Sequence, residues 1–305
     1  MSKPYRSGFV AIVGRPNVGK STLINTLVGE KVAITTPKPQ TTRDRIRGIV
    51  TTDASQIILV DTPGIHQARN KLNRYMVDVA VATLGDVDLA YLLVDVPHLV
   101  SKPDKVLQET TEIVRRIGDS GTRTFLIPNK VDLVPDKGSL LPLIDSLSTL
   151  YSFEEIIPIS AKKGDGTERL LERSVSHLPE GHALFPGDSL TDRNMRFMAR
   201  EIVREKLFMS LKKELPYQLA VSIDSWKERE DGLLVVHASI HVARASQKAI
   251  VIGRGAERLK SVGKQARRDL ERLVERRVFL DLHVRVEDDW VDREAGLRKL
   301  GYDET

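Results

Sequence analysis

The chain has 305 residues, 41% hydrophobic and 29% charged, which excludes a disordered or fibrous polypeptide. At roughly 150 residues per domain, this length predicts two domains, each with its own core. There is no cysteine, so a disulfide framework, a zinc–thiolate site and cysteine catalysis are ruled out and a reducing, cytosolic compartment is expected; 47 Lys and Arg against 42 Asp and Glu leave a net charge of +5.

No run approaches ~20 apolar residues, and the opening Met1-Ser2-Lys3-Pro4-Tyr5-Arg6 reaches a strand-like stretch too early for a signal peptide. We therefore expect no integral membrane protein. The first predicted strand, residues 9–13, is nearly all apolar, as a strand covered on both faces must be. Gly14-Arg15-Pro16-Asn17-Val18-Gly19-Lys20-Ser21 follows, running into the helical Thr22-Leu23-Ile24-Asn25. This is a phosphate-binding loop in its strand–loop–helix setting. The glycines let N–H groups curl around phosphate oxygens, and the helix N-terminus adds partial positive charge. Lys20 is placed for the terminal phosphates and the Ser21 hydroxyl for a magnesium ion.

Further strands are predicted at 57–60, 89–94, 124–127 and 156–159, with helical spacing at Val106, Thr110, Ile113, Ile117 and at Leu170, Leu171, Val175, Leu178. The alternation predicts a doubly wound, mostly parallel α/β sheet with ligands at the carboxyl ends of its strands. Three of those ends carry signals. At Asp61-Thr62-Pro63-Gly64, Asp61 can hold magnesium through water and Gly64 can bring its N–H to a terminal phosphate. At Asn129-Lys130-Val131-Asp132, a carboxylate can accept from guanine N1 and the exocyclic amine, a donor pair adenine lacks. At Ser160-Ala161-Lys162, a backbone N–H can meet the guanine oxygen. Each signal alone is common in loops; their order on successive strand ends points to GTP.

The alternation stops near Pro179. We expect a nucleotide domain over 1–180, a Pro- and Gly-containing linker over 181–192, a second domain over 193–286 and an acidic tail over 287–305. In the second domain, Thr191 or Asp192 is expected to cap a helix over 193–211. Strands at 218–224 and 233–242, a short helix near Ser246, a break at Gly253–Gly255, a basic helix over 257–275 and a strand over 278–286 follow. That last strand sets Val278, Leu280, Leu282, Val284 and Val286 on one face. Residues 244–277 hold 11 Lys and Arg against four Asp and Glu, whereas 281–305 hold four against eight. Such segregation predicts one face for a polyanion.

The four nucleotide signals resemble the translation-factor-related class of GTPases. The resemblance makes 35–44 the first switch, in which Thr42 ligates magnesium only when the terminal phosphate is present; with Ser21 and Asp61 it completes the expected metal set. Ile65 follows Gly64 where Ras-like enzymes carry the water-orienting glutamine, and an isoleucine cannot orient water. The chain is thus similar to a subgroup with a hydrophobic residue there, and in some members the Asn matching Asn17 ligates potassium where an arginine finger would stand. The catalytic candidates are Lys20, Asn17 and Thr42; His66 is set aside as a bystander. The second-domain order resembles an α+β KH domain of the prokaryotic type II. Gly253-Arg254-Gly255-Ala256 stands at the Gly-x-x-Gly turn, with Ala256 in place of the last glycine. RNA contacts are expected from Gly253, Arg254, Gly255, Lys260, Lys264 and Arg268.

Across nearly the whole chain these features resemble the Era family of bacterial ribosome-assembly GTPases. Gln40-Thr41-Thr42-Arg43, Leu190-Thr191-Asp192-Arg193, Glu201-Ile202-Val203-Arg204-Glu205-Lys206 and Trp290-Val291-Asp292 carry the more specific likeness. The family implies GTP hydrolysis coupled to binding near the end of small-subunit ribosomal RNA, in a cytoplasmic monomer using magnesium and, in some members, potassium. It also implies peripheral association with the inner face of the cell membrane, although no strongly amphipathic basic helix marks an anchor. Two other readings stay open: a signalling GTPase whose second domain binds protein, and a nonenzymatic RNA-binding scaffold that holds GTP for stability.

Overall fold

The computed structural model describes residues 4–65, 70–136, 138 and 140–302, so His66 lies outside the described residues. The chain forms two units. One comprises residues 1–33, 42–67 and 76–192; the other comprises 34–41, 68–75 and 193–305.

In the first unit, Val10, Ala11, Ile12 and Val13 are wholly buried at the centre of β1 (Arg6–Gly14). Apolar runs of this kind cannot lie at a solvated edge, and β1 sits between β3 (Ser55–Asp61) and β4 (Leu89–Asp95). The sheet continues through β5 (Thr124–Asn129) to the two-residue β6 (Glu155–Ile156), with β2 (Ile46–Thr51) at the other edge. β2 alone runs antiparallel to its neighbour. One face is covered by Leu23, Ile24 and Leu27 of α1 (Lys20–Val28) and Leu170 of α6 (Thr167–Val175). The other receives Ala80 and Leu84 of α2 (Lys71–Gly85), Leu99 of α3 (Val96–Ser101), Ile113 and Ile117 of α4 (Pro103–Ser120), and Leu147 of α5 (Leu140–Ser148).

The strand expected over 156–159 is shorter than its apolar run. Pro158 has no N–H to donate, and regular pairing with β5 gives way to a single bridge between Asn129 and Ile159. The segment read as a linker is stitched to the sheet. Gln56 accepts from the Leu184 and Phe185 N–H groups at 2.7 and 2.8 Å, the Ile49 N–H meets the Leu190 carbonyl at 3.0 Å, and Asp192 pairs with Arg47 at 3.2 Å.

The second unit holds a three-stranded sheet in the order β7 (Leu219–Glu228), β8 (Leu234–Val242), β9 (Val278–Val286). β7 is antiparallel to β8, and β9 is parallel to it. Its apolar face packs on α7 (Met195–Ser210), α8 (Ala245–Ile252) and α9 (Glu257–Val274). The cap of α7 is neither Thr191 nor Asp192. Asn194 accepts from the Phe197 N–H at 2.9 Å, three residues ahead as an N-cap must, while Asp192 is engaged by Arg47. The acidic terminal stretch is folded: a turn over Trp290–Asp292 leads into α10 (Glu294–Lys299). Trp290 is buried, stacks on Tyr302 at 5.8 Å and donates to the Gln218 carbonyl at 3.1 Å.

Candidate nucleotide and RNA sites

The phosphate loop leaves β1 with Gly14 at φ 148°, where a Cβ would stand 2.6 Å from the Leu93 carbonyl. It enters α1 at Gly19, φ 104°, where a Cβ would stand 2.4 Å from the Asn129 amide nitrogen. Neither position accepts a side chain. Lys20 folds back to donate to the Gly14 and Arg15 carbonyls at 3.2 and 3.0 Å, and burial pulls its ammonium down to about 8 against the opposing pull of Asp61. Arg15 pairs with Glu109 at 2.7 Å.

Ser21, Thr42 and Asp61 come together. The Ser21 and Thr42 hydroxyls lie 2.9 Å apart, and both donate to Oδ2 of Asp61, at 2.7 and 3.0 Å. Burial pushes the Asp61 carboxyl above its ordinary range, opposed by Lys20 and by these hydrogen bonds. Its Oδ1 is buried and accepts no hydrogen bond among the described residues. Two hydroxyls and a carboxylate with a spare oxygen form an all-oxygen set suited to a hard divalent cation, and such a charge would favour the ionised carboxylate. The fit to magnesium is good.

Ile65 is buried, and its N–H donates to the Gly14 carbonyl at 3.2 Å. At Gly64 a Cβ would fall 2.8 Å from the Pro16 nitrogen, so the Asp61–Ile65 segment passes closely against the phosphate loop. Thr62 is pinned through its hydroxyl to the Ile12 carbonyl at 2.8 Å.

At the neighbouring strand ends, Asn129 acts as a stitch. Its amide donates to the Val18 carbonyl at 2.7 Å, and its oxygen accepts from the Lys130 and Ala161 N–H groups at 2.7 and 2.9 Å. The Ala161 N–H, one candidate for the guanine oxygen, is thus engaged by Asn129. Lys130 takes φ 68° and reaches the Asn17 carbonyl at 2.8 Å and Asp95 at 2.5 Å. Asp132 accepts from the Ser160 hydroxyl at 2.7 Å, which orients its carboxylate. Sequence reasoning missed Asp95 and Glu109. Asp95 was findable, since it ends the run over 89–94 at the same edge of the sheet; Glu109 lies within a helix, and nothing local marks it.

In the second unit, Gly253 (φ 76°, ψ 169°) turns the chain between α8 and α9, and a Cβ there would lie 2.9 Å from that of Arg258. Arg258 bonds the Ile250 carbonyl and closes the end of α8. Gly255 and Ala256 both take left-handed conformations, φ 57° and 60°. Arg254, Lys260, Lys264 and Arg268 are exposed, the last three at fourfold spacing on one face of α9, while Val262, Ala266 and Leu270 are buried. Beside the turn runs a groove of about 480 Å³, lined by Lys248 and Ile252 of α8, Leu259 of α9, and Leu282, His283, Val284 and Arg285 of the edge strand β9. The lining residues come from three successive elements spread over residues 248–285, so no short contiguous pattern announced them.

A phosphate loop on a doubly wound sheet, followed by a helix–turn–helix against a mixed three-stranded sheet, defines a P-loop GTPase joined to a KH domain. Residues 9–130 match the family described as "50S ribosome-binding GTPase" and residues 214–291 the KH domain. GTPase Era of Geobacter metallireducens is 49% identical over 300 residues, and that of Trichlorobacter lovleyi 47% over 299, each alignment covering 98% of both chains. Two solved structures each match at a TM-score of 0.92 and 38% identity, covering 98% of this chain and 100% of the other. One is a variant of Aquifex aeolicus Era bound to GDP and AlF4−; the other is Era with MgGDPNP and nucleotides 1506–1542 of 16S ribosomal RNA. The chain belongs to the Era family of GTPases.

Proposed function

We propose that this protein binds and hydrolyses GTP with magnesium, and binds the end of small-subunit ribosomal RNA through its KH domain during assembly of the small subunit. The observation that carries the reading is the solved relative holding both MgGDPNP and a 16S ribosomal RNA segment, alike over 98% of this chain. Ser21, Thr42 and Asp61 would hold the magnesium, which supplies charge neutralisation at the phosphates. The loop N–H groups and Lys20 orient the phosphates, and Asp132 reads the guanine. Thr42 belongs to the first switch, so the nucleotide state alters the conformation of that segment and, through it, RNA affinity.

No side chain at Ile65 can position water, which supports hydrolysis without a Ras-type glutamine. We assign to Asn17, exposed at φ 66° in the loop, the holding of a potassium ion where an arginine finger would otherwise stand.

On the RNA side, Arg254 at the turn and the Lys260, Lys264, Arg268 face contact phosphates, while the adjoining groove takes bases. Replacing Lys260, Lys264 and Arg268 together by Ala tests this. Affinity for a 16S-end oligonucleotide should fall, and the slope of log affinity against log salt should drop by about 2, with GTP turnover retained. Unchanged affinity and slope would overturn the RNA assignment and favour a second domain that binds protein.

A further inference from the structure

The face of the second unit's sheet turned away from its helices carries a constellation that GTP does not explain, and only one of its members, His283, also lines the groove beside the turn. His237 on β8 stands in register with Asp281 on β9, and His283 follows two residues later on the same side of that strand. Oδ2 of Asp281 lies 3.3 Å from Nδ1 of His237 and 3.0 Å from Nε2 of His283. The three donor atoms all lie within 4.8 Å of one another. Two imidazoles thus converge on one carboxylate oxygen.

An ion bound tetrahedrally at about 2.0–2.1 Å keeps its donor atoms ~3.3 Å apart. Both separations from Asp281 are close to that edge. The pleat makes the geometry durable: Asp281 and His283 are same-face neighbours on one strand, and His237 is held opposite by the β8–β9 hydrogen bonds. The side chains are 38%, 39% and 57% exposed, so an ion has an open path from solvent. Nearby, Arg285 is paired with Asp224 at 3.3 Å, which offsets its charge. Phe279 sits against His237, ring centroids 6.4 Å apart, and walls one side.

We propose that His237, Asp281 and His283 form a binding site for one borderline divalent transition-metal ion, zinc being the fitting case, with a fourth position left to water or an incoming ligand. Imidazole nitrogen selects zinc and its neighbours over magnesium, so this site and the all-oxygen set at Asp61 take different ions. The chain's lack of cysteine does not bear on it, because two imidazoles and a carboxylate are a sufficient protein ligand set.

The test uses the full-length protein, stripped with chelator, loaded with GDP and held in excess Mg2+ so that the Asp61 site is occupied. Zn2+ is titrated in competition with a chromophoric chelator, without RNA, and Co2+ is added separately as a spectroscopic probe. One Zn2+ per chain, a tetrahedral Co2+ visible band and a rise in melting temperature on adding Zn2+ are expected. His237→Gln, Asp281→Asn and His283→Asn should each weaken Zn2+ binding ~10-fold or more and remove both the band and the melting shift. A parent that binds no Zn2+ under excess Mg2+ would overturn the proposal, and so would three variants that bind it as the parent does.

Discussion

Asp132 shows how little chemistry the choice of base requires. Its carboxylate is fixed by the Ser160 hydroxyl at 2.7 Å, and in the proposed role its two acceptor oxygens, set against guanine's donor pair, would be enough to reject adenine. Losing a charge-assisted bidentate contact costs on the order of 2–4 kcal/mol. Asp132→Asn should therefore weaken GTP binding by that amount and admit xanthosine triphosphate, as a competition titration would read; unchanged GTP affinity would remove the guanine assignment. Asn17 makes a second test at this scale. Exchanging potassium for sodium should slow turnover, and Asn17→Ala should erase the difference between the two salts. Equal turnover of the parent in both would leave Asn17 a loop-shaping residue. These residues were legible because each belongs to a short contiguous motif. The stitching by Asn129 was not, since its partners Val18 and Ala161 are brought to it only by the fold.

At the scale of elements, the turn between α8 and α9 carries a measurable strain. Ala256 sits at φ 60°, ψ 18°, a left-handed conformation that costs an L-residue roughly 1–2 kcal/mol. Glycine relieves that cost but adds about 0.5–1 kcal/mol of unfolded-state entropy. Ala256→Gly should thus stabilise the protein by ~0.5–1 kcal/mol and restore the full turn motif; a lower unfolding midpoint in denaturant would contradict the backbone argument. Position 256 was marked in the sequence only as a departure from a pattern, and its conformation needed the structure. The central strands were legible for a simple reason: the middles of β1, β4 and β5 are buried on both faces and must be apolar. β2 was not, because Arg47, Gly48 and Thr51 break its apolar run at a sheet edge. α5 was equally hidden, with Pro142 and only nine residues. The terminal stretch looked like an acidic tail because its charges outnumber its anchors. Trp290, Leu297, Leu300 and Tyr302 nevertheless bury enough apolar surface to fold it.

For the molecule as a whole, the chain's path matters more than any single contact. Residues 34–41 pack with the second unit, and the chain returns to the first at Thr42, so one peptide bond joins the proposed magnesium ligand to that packing. Within the second unit, the Thr35 N–H donates to Glu205 at 3.2 Å, and Lys38 caps the Phe208 and Leu211 carbonyls at the end of α7. Lys206 then joins Glu205, at 2.9 Å, to Asp269 of α9, next in sequence to Arg268. A polar chain thus runs from segment 34–41 to α9, the helix that carries Lys260, Lys264 and Arg268. If the terminal phosphate holds Thr42 on magnesium, it biases segment 34–41 and, by this route, α9. Linkage makes the effect reciprocal: GTP alters RNA affinity by the same factor as RNA alters GTP affinity, and couplings of roughly 1–3 kcal/mol correspond to 5- to 150-fold. RNA affinity measured with GDP and with a nonhydrolysable GTP analogue should differ within that range in the parent. Thr42→Ala should abolish the difference, and Glu205→Gln, which keeps the shape but loses the charge, should reduce it. Identical affinities in both nucleotide states of the parent would sink the coupling. A difference that survives Thr42→Ala would move its origin away from the first switch.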